Sequence, residues 1–74
     1  AFTVPEGAGR VNLTVHYVTG RVVRTLVDEE LPAGPALAVW DGTDDHGRPL
    51  ASGIYFARLA SNEESAFRKM TLLN

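Results

Sequence analysis

The sequence predicts an all-β chain, an antiparallel β-sandwich of about six to seven short strands. Three observations predict it. Apolar and polar residues alternate at the strand period of two. β-Branched residues crowd the short runs, and Gly, Pro and Asx clusters interrupt those runs before a helix of ordinary length could form. The 74 residues, 45% hydrophobic and 22% charged, set the scale at one small domain spanning 1–74.

Ala1 to Val4, ahead of Pro5, reads as a short edge strand. Val11, Leu13, Val15 and Tyr17 then alternate with Asn12, Thr14, His16 and Val18, the signature of a half-buried strand with one apolar face and His16 on the polar one. Thr19-Gly20 supplies a turn, and Arg21 to Val27 follows with four β-branched residues in seven, so the pair is expected as a hairpin. A helix competes, because Val22, Val23, Leu26 and Leu31 could share one helical face. β-Branching and the short bracketed length decide for strand.

Leu31 to Pro35 is a breaker cluster in which Pro32 and Pro35 each remove a donor. Ala36 to Asp41 is expected as a third strand carrying the sole Trp, and 41–52 as a polar Gly- and Asp-rich loop. Two further strands, Gly53 to Ala60 and Ala66 to Leu73, are expected on either side of a polar loop from Ser61 to Ser65.

Size limits stability. Apolar burial on folding is worth about 107 kcal/mol if the chain reaches the roughly 4,450 Å² of folded surface expected of its mass. Ordering the chain costs about 110 kcal/mol. No Cys is present to staple the fold, so good packing or a neighbouring domain must supply the margin. The start at Ala1 without an initiator Met is expected of a piece cut from a longer protein.

Composition excludes several functions. A formal charge of −2 with scattered basic residues argues against a nucleic-acid partner, and no apolar run approaches the length of a membrane span. Thiolate metal sites are excluded by the lack of Cys. Asp41, Asp44 and Asp45 are a weak calcium candidate: three carboxylates fall in five residues, but Gly47 sits one place late for an EF-hand and Ser52 stands where a bidentate Glu is needed. The competing reading makes them Asx caps of their own turns. His16 and His46 lack a third ligand, and solvated imidazoles are expected. Ser52, Ser61 and Ser65 lack a nucleophile elbow, so neither a catalytic centre nor a cofactor is expected. Trp40, Tyr17, Tyr55 and Phe56 could stack on sugar rings if exposed on one face, but their apolar runs favour core use, with Trp40 as a central plug. Asn12-Leu13-Thr14 fits a glycosylation acceptor, a pattern too short to carry weight.

Five segments together resemble a known family: Gly20 to Leu26, Leu31 to Gly34, Trp40-Asp41-Gly42-Thr43-Asp44-Asp45-His46-Gly47, Leu50 to Tyr55, and Arg68-Lys69-Met70. They resemble the Ig-like domain named after the flagellar hook-capping protein, and equally the C-terminal sorting domains of secreted Bacteroidetes-type proteins. Tyr17, where relatives often carry Asp or Asn, and Pro35 depart from the pattern. The resemblance implies an Ig-like sandwich in which Gly20, Gly34, Gly42, Gly47 and Gly53 make turns, Asp41 caps the long loop, and Trp40 and Tyr55 anchor the sheets, with Lys69 in the last motif. It further implies a non-catalytic C-terminal module for type IX secretion and cell-surface attachment of a larger protein, a polysaccharide hydrolase or peptidase. The implied partners are the secretion or anchoring machinery and a neighbouring domain, at the bacterial surface. The alternatives are a structural module of an extracellular assembly of the hook-cap type and a carbohydrate-binding accessory domain.

Overall fold

A computed structural model describes residues 2–62 and 64–73. Its strands are β1 (Phe2–Val4), β2 (Arg10–His16), β3 (Val22–Glu30), β4 (Gly34–Ala36), β5 (Gly53–Ser61) and β6 (Glu64–Leu72). They form two antiparallel sheets, a four-stranded one ordered β3-β2-β5-β6 and a two-stranded one ordered β1-β4. The arrangement is sandwich-like, as an Ig-like fold requires. Among the described residues, no helix is long and apolar enough to cross a membrane.

The alternation in β2 builds the core. Val11 and Val15 are completely enclosed and share an inner face with Leu13. Across the ladder, Leu13 opposes Leu59 and Val15 opposes Ala57, which puts the apolar residues of β5 on that face too. Two small clusters cover its ends. At one, Val4, Ala8 and Val11 pack with Phe2, Leu31, Ala36 and Leu59, so the β1-β4 sheet forms the lid. At the other, Val15, Val23 and Tyr55 pack with Leu26, Trp40, Leu50, Met70 and Leu72, and the lid there is the loop ahead of β5.

Between the lids the inner face is open. A groove of 490 Å³ runs there, lined by Phe2, Leu13, Ala38, Ala57, Leu59 and Ala66 among others, with Arg68 at its margin. The folded surface is 5120 Å², above the roughly 4,450 Å² expected of a compact chain this size, so the apolar burial assumed from mass alone is not reached. The molecule measures 36 × 20 × 19 Å, drawn out by its long hairpins.

Three expectations are corrected. The strand expected over Ala36 to Asp41 is absent: only Gly34–Ala36 pairs, with Val4 to Phe2, and the chain beyond it carries Leu37 and Val39 at 75% and 77% exposed. Among the described residues, 37–41 pair with no strand. The expected loop from Ser61 to Ser65 is instead part of a hairpin whose ladder continues to Ser61↔Glu64. Its polar composition reflects exposure, since Glu64 to Lys69 faces water along its whole length. His16 is the third. It is buried, with Nδ1 2.9 Å from the Gly20 carbonyl and Nε2 2.8 Å from the Thr14 hydroxyl. A carbonyl only accepts, so Nδ1 carries the proton and the ring is locked by two local partners.

The β2-β3 register is irregular between Leu13 and Thr14 and between Val15 and His16, the kind of interruption that bends a ladder locally. Tyr17 N–H donates to Arg21 O at 2.9 Å and Gly20 N–H to Tyr17 O at 2.9 Å, closing the turn; Gly20 at φ 94° supplies the left-handed backbone that this closure needs.

Candidate functional site

The densest polar segment, Trp40 to Gly53, packs over the Tyr55 end of the inner face. It folds on itself as a miniature hairpin: Thr43 bridges Pro49, Asp44 N–H meets Arg48 O at 3.0 Å, and Leu50 N–H meets Gly42 O at 2.9 Å. Gly42 is required here twice over. Its φ is +80°, and a Cβ would come within 3.0 Å of the Leu72 side chain.

Each carboxylate in the loop has a separate set of donors. Asp41 accepts the Thr43 N–H at 3.1 Å and the Thr43 hydroxyl on the same oxygen. Asp44 accepts the N–H groups of His46 (2.9 Å) and Arg48 (3.0 Å), and its other oxygen meets Arg48 Nε at 3.2 Å. Asp45 accepts the N–H of Thr25, on β3, at 2.9 Å. These are the Asx caps that composition allowed as the alternative to calcium. Among the described residues, no three His, Asp or Glu side chains are grouped to hold a metal ion. The donors also set the acidity. The Thr43 hydroxyl, then its N–H, holds Asp41 below the usual carboxylate range, and the Arg48 and His46 N–H groups do the same for Asp44.

Two contacts sequence reasoning missed tie this loop to the sheet. Arg24 reaches from β3 to the Thr43 hydroxyl (3.1 Å) and the Asp44 carbonyl (2.7 Å). The Asp45 N–H meets Val23 O at 3.1 Å, so Asp45 bonds to β3 through both its backbone and its side chain. An arginine in the middle of a strand facing an Asx-rich loop was the available signal.

Trp40 and Tyr55 are committed to packing. Trp40 and Tyr55 meet edge to face, 5.2 Å between ring centres at 69°, and Tyr17 lies 5.8 Å from Tyr55. Trp40 Nε1 donates to Thr43 O at 2.8 Å and the Tyr55 hydroxyl to Ala51 O at 2.7 Å. Tyr55 is the buried anchor; Trp40 is half-buried at the flank instead of a central plug. Set edge to face, Trp40 and Tyr55 share no common flat face, and Phe56 lies apart from them beside His16 and Phe67.

Of the positions singled out in the sequence, Trp40, Asp41, Gly42, Gly47, Gly53 and Tyr55 come together in this one capped end. Gly34 lies apart, opposite Val4 in the smaller sheet, and Gly20 in the β2-β3 turn. Lys69 stands on β6 opposite Phe56, away from the loop.

The two edges of the large sheet differ. β3 is covered at Val23 and Thr25 by Asp45, and its remaining stretch carries Asp28, Glu29 and Glu30, with Arg10 Nε 2.8 Å from Asp28. These negative charges oppose the addition of another acidic strand. β6 pairs only with β5 and exposes Phe67, 63% accessible, beside Arg68 and Lys69.

A family model described as the FlgD Ig-like domain matches residues 1–65. No curated protein and no solved structure matches the chain.

Proposed function

The chain belongs to the FlgD Ig-like domain family, and from that premise we propose that it is a non-catalytic structural module of a larger extracellular protein, acting by contact instead of by chemistry. The observation that carries this reading is the family match over residues 1–65, in a family whose Ig-like domains are typically non-catalytic. The local chemistry supports it: the carboxylates of the loop, the buried imidazole and the Tyr55 hydroxyl are each engaged in holding the fold. FlgD-type domains occur in extracellular flagellar components, which supports a place outside the cell and, more specifically, in an assembly of the hook-cap type.

A second reading, secretion and surface attachment through the type IX machinery, is supported by the Trp40 to Gly47 and Leu50 to Tyr55 motifs. Deleting the module from the longer chain that carries it separates the two. An assembly module predicts that the truncated protein is exported normally and fails to incorporate into its structure. A sorting module predicts that it stays inside the cell. Normal export with normal incorporation contradicts both.

A further inference from the structure

We propose that two copies of this chain associate through β6, antiparallel and centred on Ala66, so that their four-stranded sheets join into one. The backbone provides the place. β6 is an edge strand paired only with β5, and Glu64 to Lys69 is exposed along its whole length. The pair Ser61↔Glu64 closes the β5-β6 hairpin, so Glu64, Ala66 and Arg68 direct their backbone bonds to β5. Ser65, Phe67 and Lys69 therefore turn N–H and C=O groups outward.

Charge selects the occupant and its register. Ala66 opposes Leu59 and Arg68 opposes Ala57, which puts Glu64, Ala66 and Arg68 on the groove face and Ser65, Phe67 and Lys69 on the other. A two-fold axis normal to the sheet keeps each face on its own side, so only residues of one face can oppose each other across the join. Centred on Ala66, Glu64 of each copy stands opposite Arg68 of the other, and Ser65 of each exchanges backbone bonds with Phe67 of the other. The Glu64 and Arg68 pairs fall at the non-hydrogen-bonded positions, where opposed side chains come closest, and the two Ala66 methyls put no bulk between them.

Neighbouring registers lack this match. Centring on Ser65 makes the two Glu64 side chains diagonal neighbours, centring on Phe67 does the same for the two Arg68, and centring on Arg68 sets the guanidiniums directly opposite. Among the described residues the ion pairs are Arg10 with Asp28 and Arg48 with Asp44, so Glu64 and Arg68 are in none within one copy. The other edge offers no equivalent. Asp45 covers β3 at Val23 and Thr25, and pairing what remains with itself sets Glu29 against Glu29 and Asp28 against Glu30. A ladder from Glu64 to Arg68 in each copy falls below the roughly 1,200 Å² that stable interfaces bury, so association is weak in the free chain and gains strength where copies are held together.

The inference deepens the contact-module reading by naming a further copy as the partner. It fails separately, because the deletion experiment is indifferent to which surface makes the contact. The test is sedimentation of the 74-residue chain from about 10 μM to about 1 mM, with amide exchange at both concentrations. Mass is expected to rise with concentration, and the Ser65 and Phe67 amides to gain protection only in the concentrated sample. E64R and R68E, both at exposed positions, set like charges opposite each other, and each is expected to weaken self-association by about tenfold or more. An equimolar mixture of the two variants is expected to restore it, because every facing pair is then opposite in charge. The double variant E64R/R68E is expected to associate as the parent does. A chain that stays monomeric at about 1 mM, single variants that associate as well as the parent, or a mixture no better than its components would each overturn the proposal.

Discussion

Asp45 closes the outer edge of β3 by accepting the Thr25 N–H on its carboxylate at 2.9 Å, beside a backbone bond from its own N–H to Val23. A loop residue thus takes the place of a neighbouring strand along the Val23–Thr25 stretch of β3, where edge donors and acceptors would otherwise face another molecule.

Replacing Asp45 with Ala removes the Thr25 acceptor and leaves the backbone bond in place. Stability should fall by about 1 kcal/mol, and Asp45→Asn, which keeps a carbonyl oxygen, by less. Urea midpoints of the three proteins check this order; equal midpoints would mean that the side chain contributes nothing.

Tyr55 joins the core to the loop through its ring and its hydroxyl separately. Tyr55→Phe keeps the contact with Trp40 and loses the bond to Ala51, an expected cost of about 1 kcal/mol. Tyr55→Ala also empties a buried site and should cost roughly 3–5 kcal/mol, which leaves a domain this small largely unfolded. Thermal melts followed by far-ultraviolet circular dichroism distinguish the two.

Gly42→Ala should destabilise by about 1–2 kcal/mol, because the left-handed backbone and the Leu72 side chain both oppose a Cβ. Combining it with Leu72→Ala relieves the steric part alone. A double-mutant cycle in urea should therefore show coupling, and strict additivity would place the whole cost in the backbone.

Acid should weaken the loop. Asp41 and Asp44 are held below the usual carboxylate range when folded, so protons bind the unfolded chain first as pH falls. Their contribution is complete above about pH 4 and disappears as pH drops through the lower folded values. Both side chains are solvent-screened, so the effect is modest. Urea melts between pH 6 and pH 2 check it, and Asp44→Asn should flatten the decline.

The strands that bury one face were readable in the sequence, and the limits of those that do not were misjudged. Val11, Leu13 and Val15 announce β2 because the core enforces their spacing. β6 faces water from Glu64 to Lys69, so no burial periodicity marks where it begins. Leu37 and Val39 show the reverse error: they alternate as a strand would, yet pairing depends on a neighbour that local sequence cannot specify. The burial of His16 was missed because its two partners, Thr14 and Gly20, meet it only once the β2-β3 turn and its register shifts have formed. In the capped end, Asp41 and Asp44 bond within a few residues and were legible as Asx turns. Asp45 reaches twenty positions back to Thr25, a relationship that only the folded sheet creates.

The central claim is that this module has one sealed sheet edge and one open edge, the open one being available for contact. Native-state amide exchange at neutral pH tests it most directly. The account predicts a Thr25 amide protected at least about a hundredfold more than the outward-facing amides of β6 between Glu64 and Lys69. Thr25 exchanging as fast as those amides, or uniformly slow exchange along β6, would contradict it.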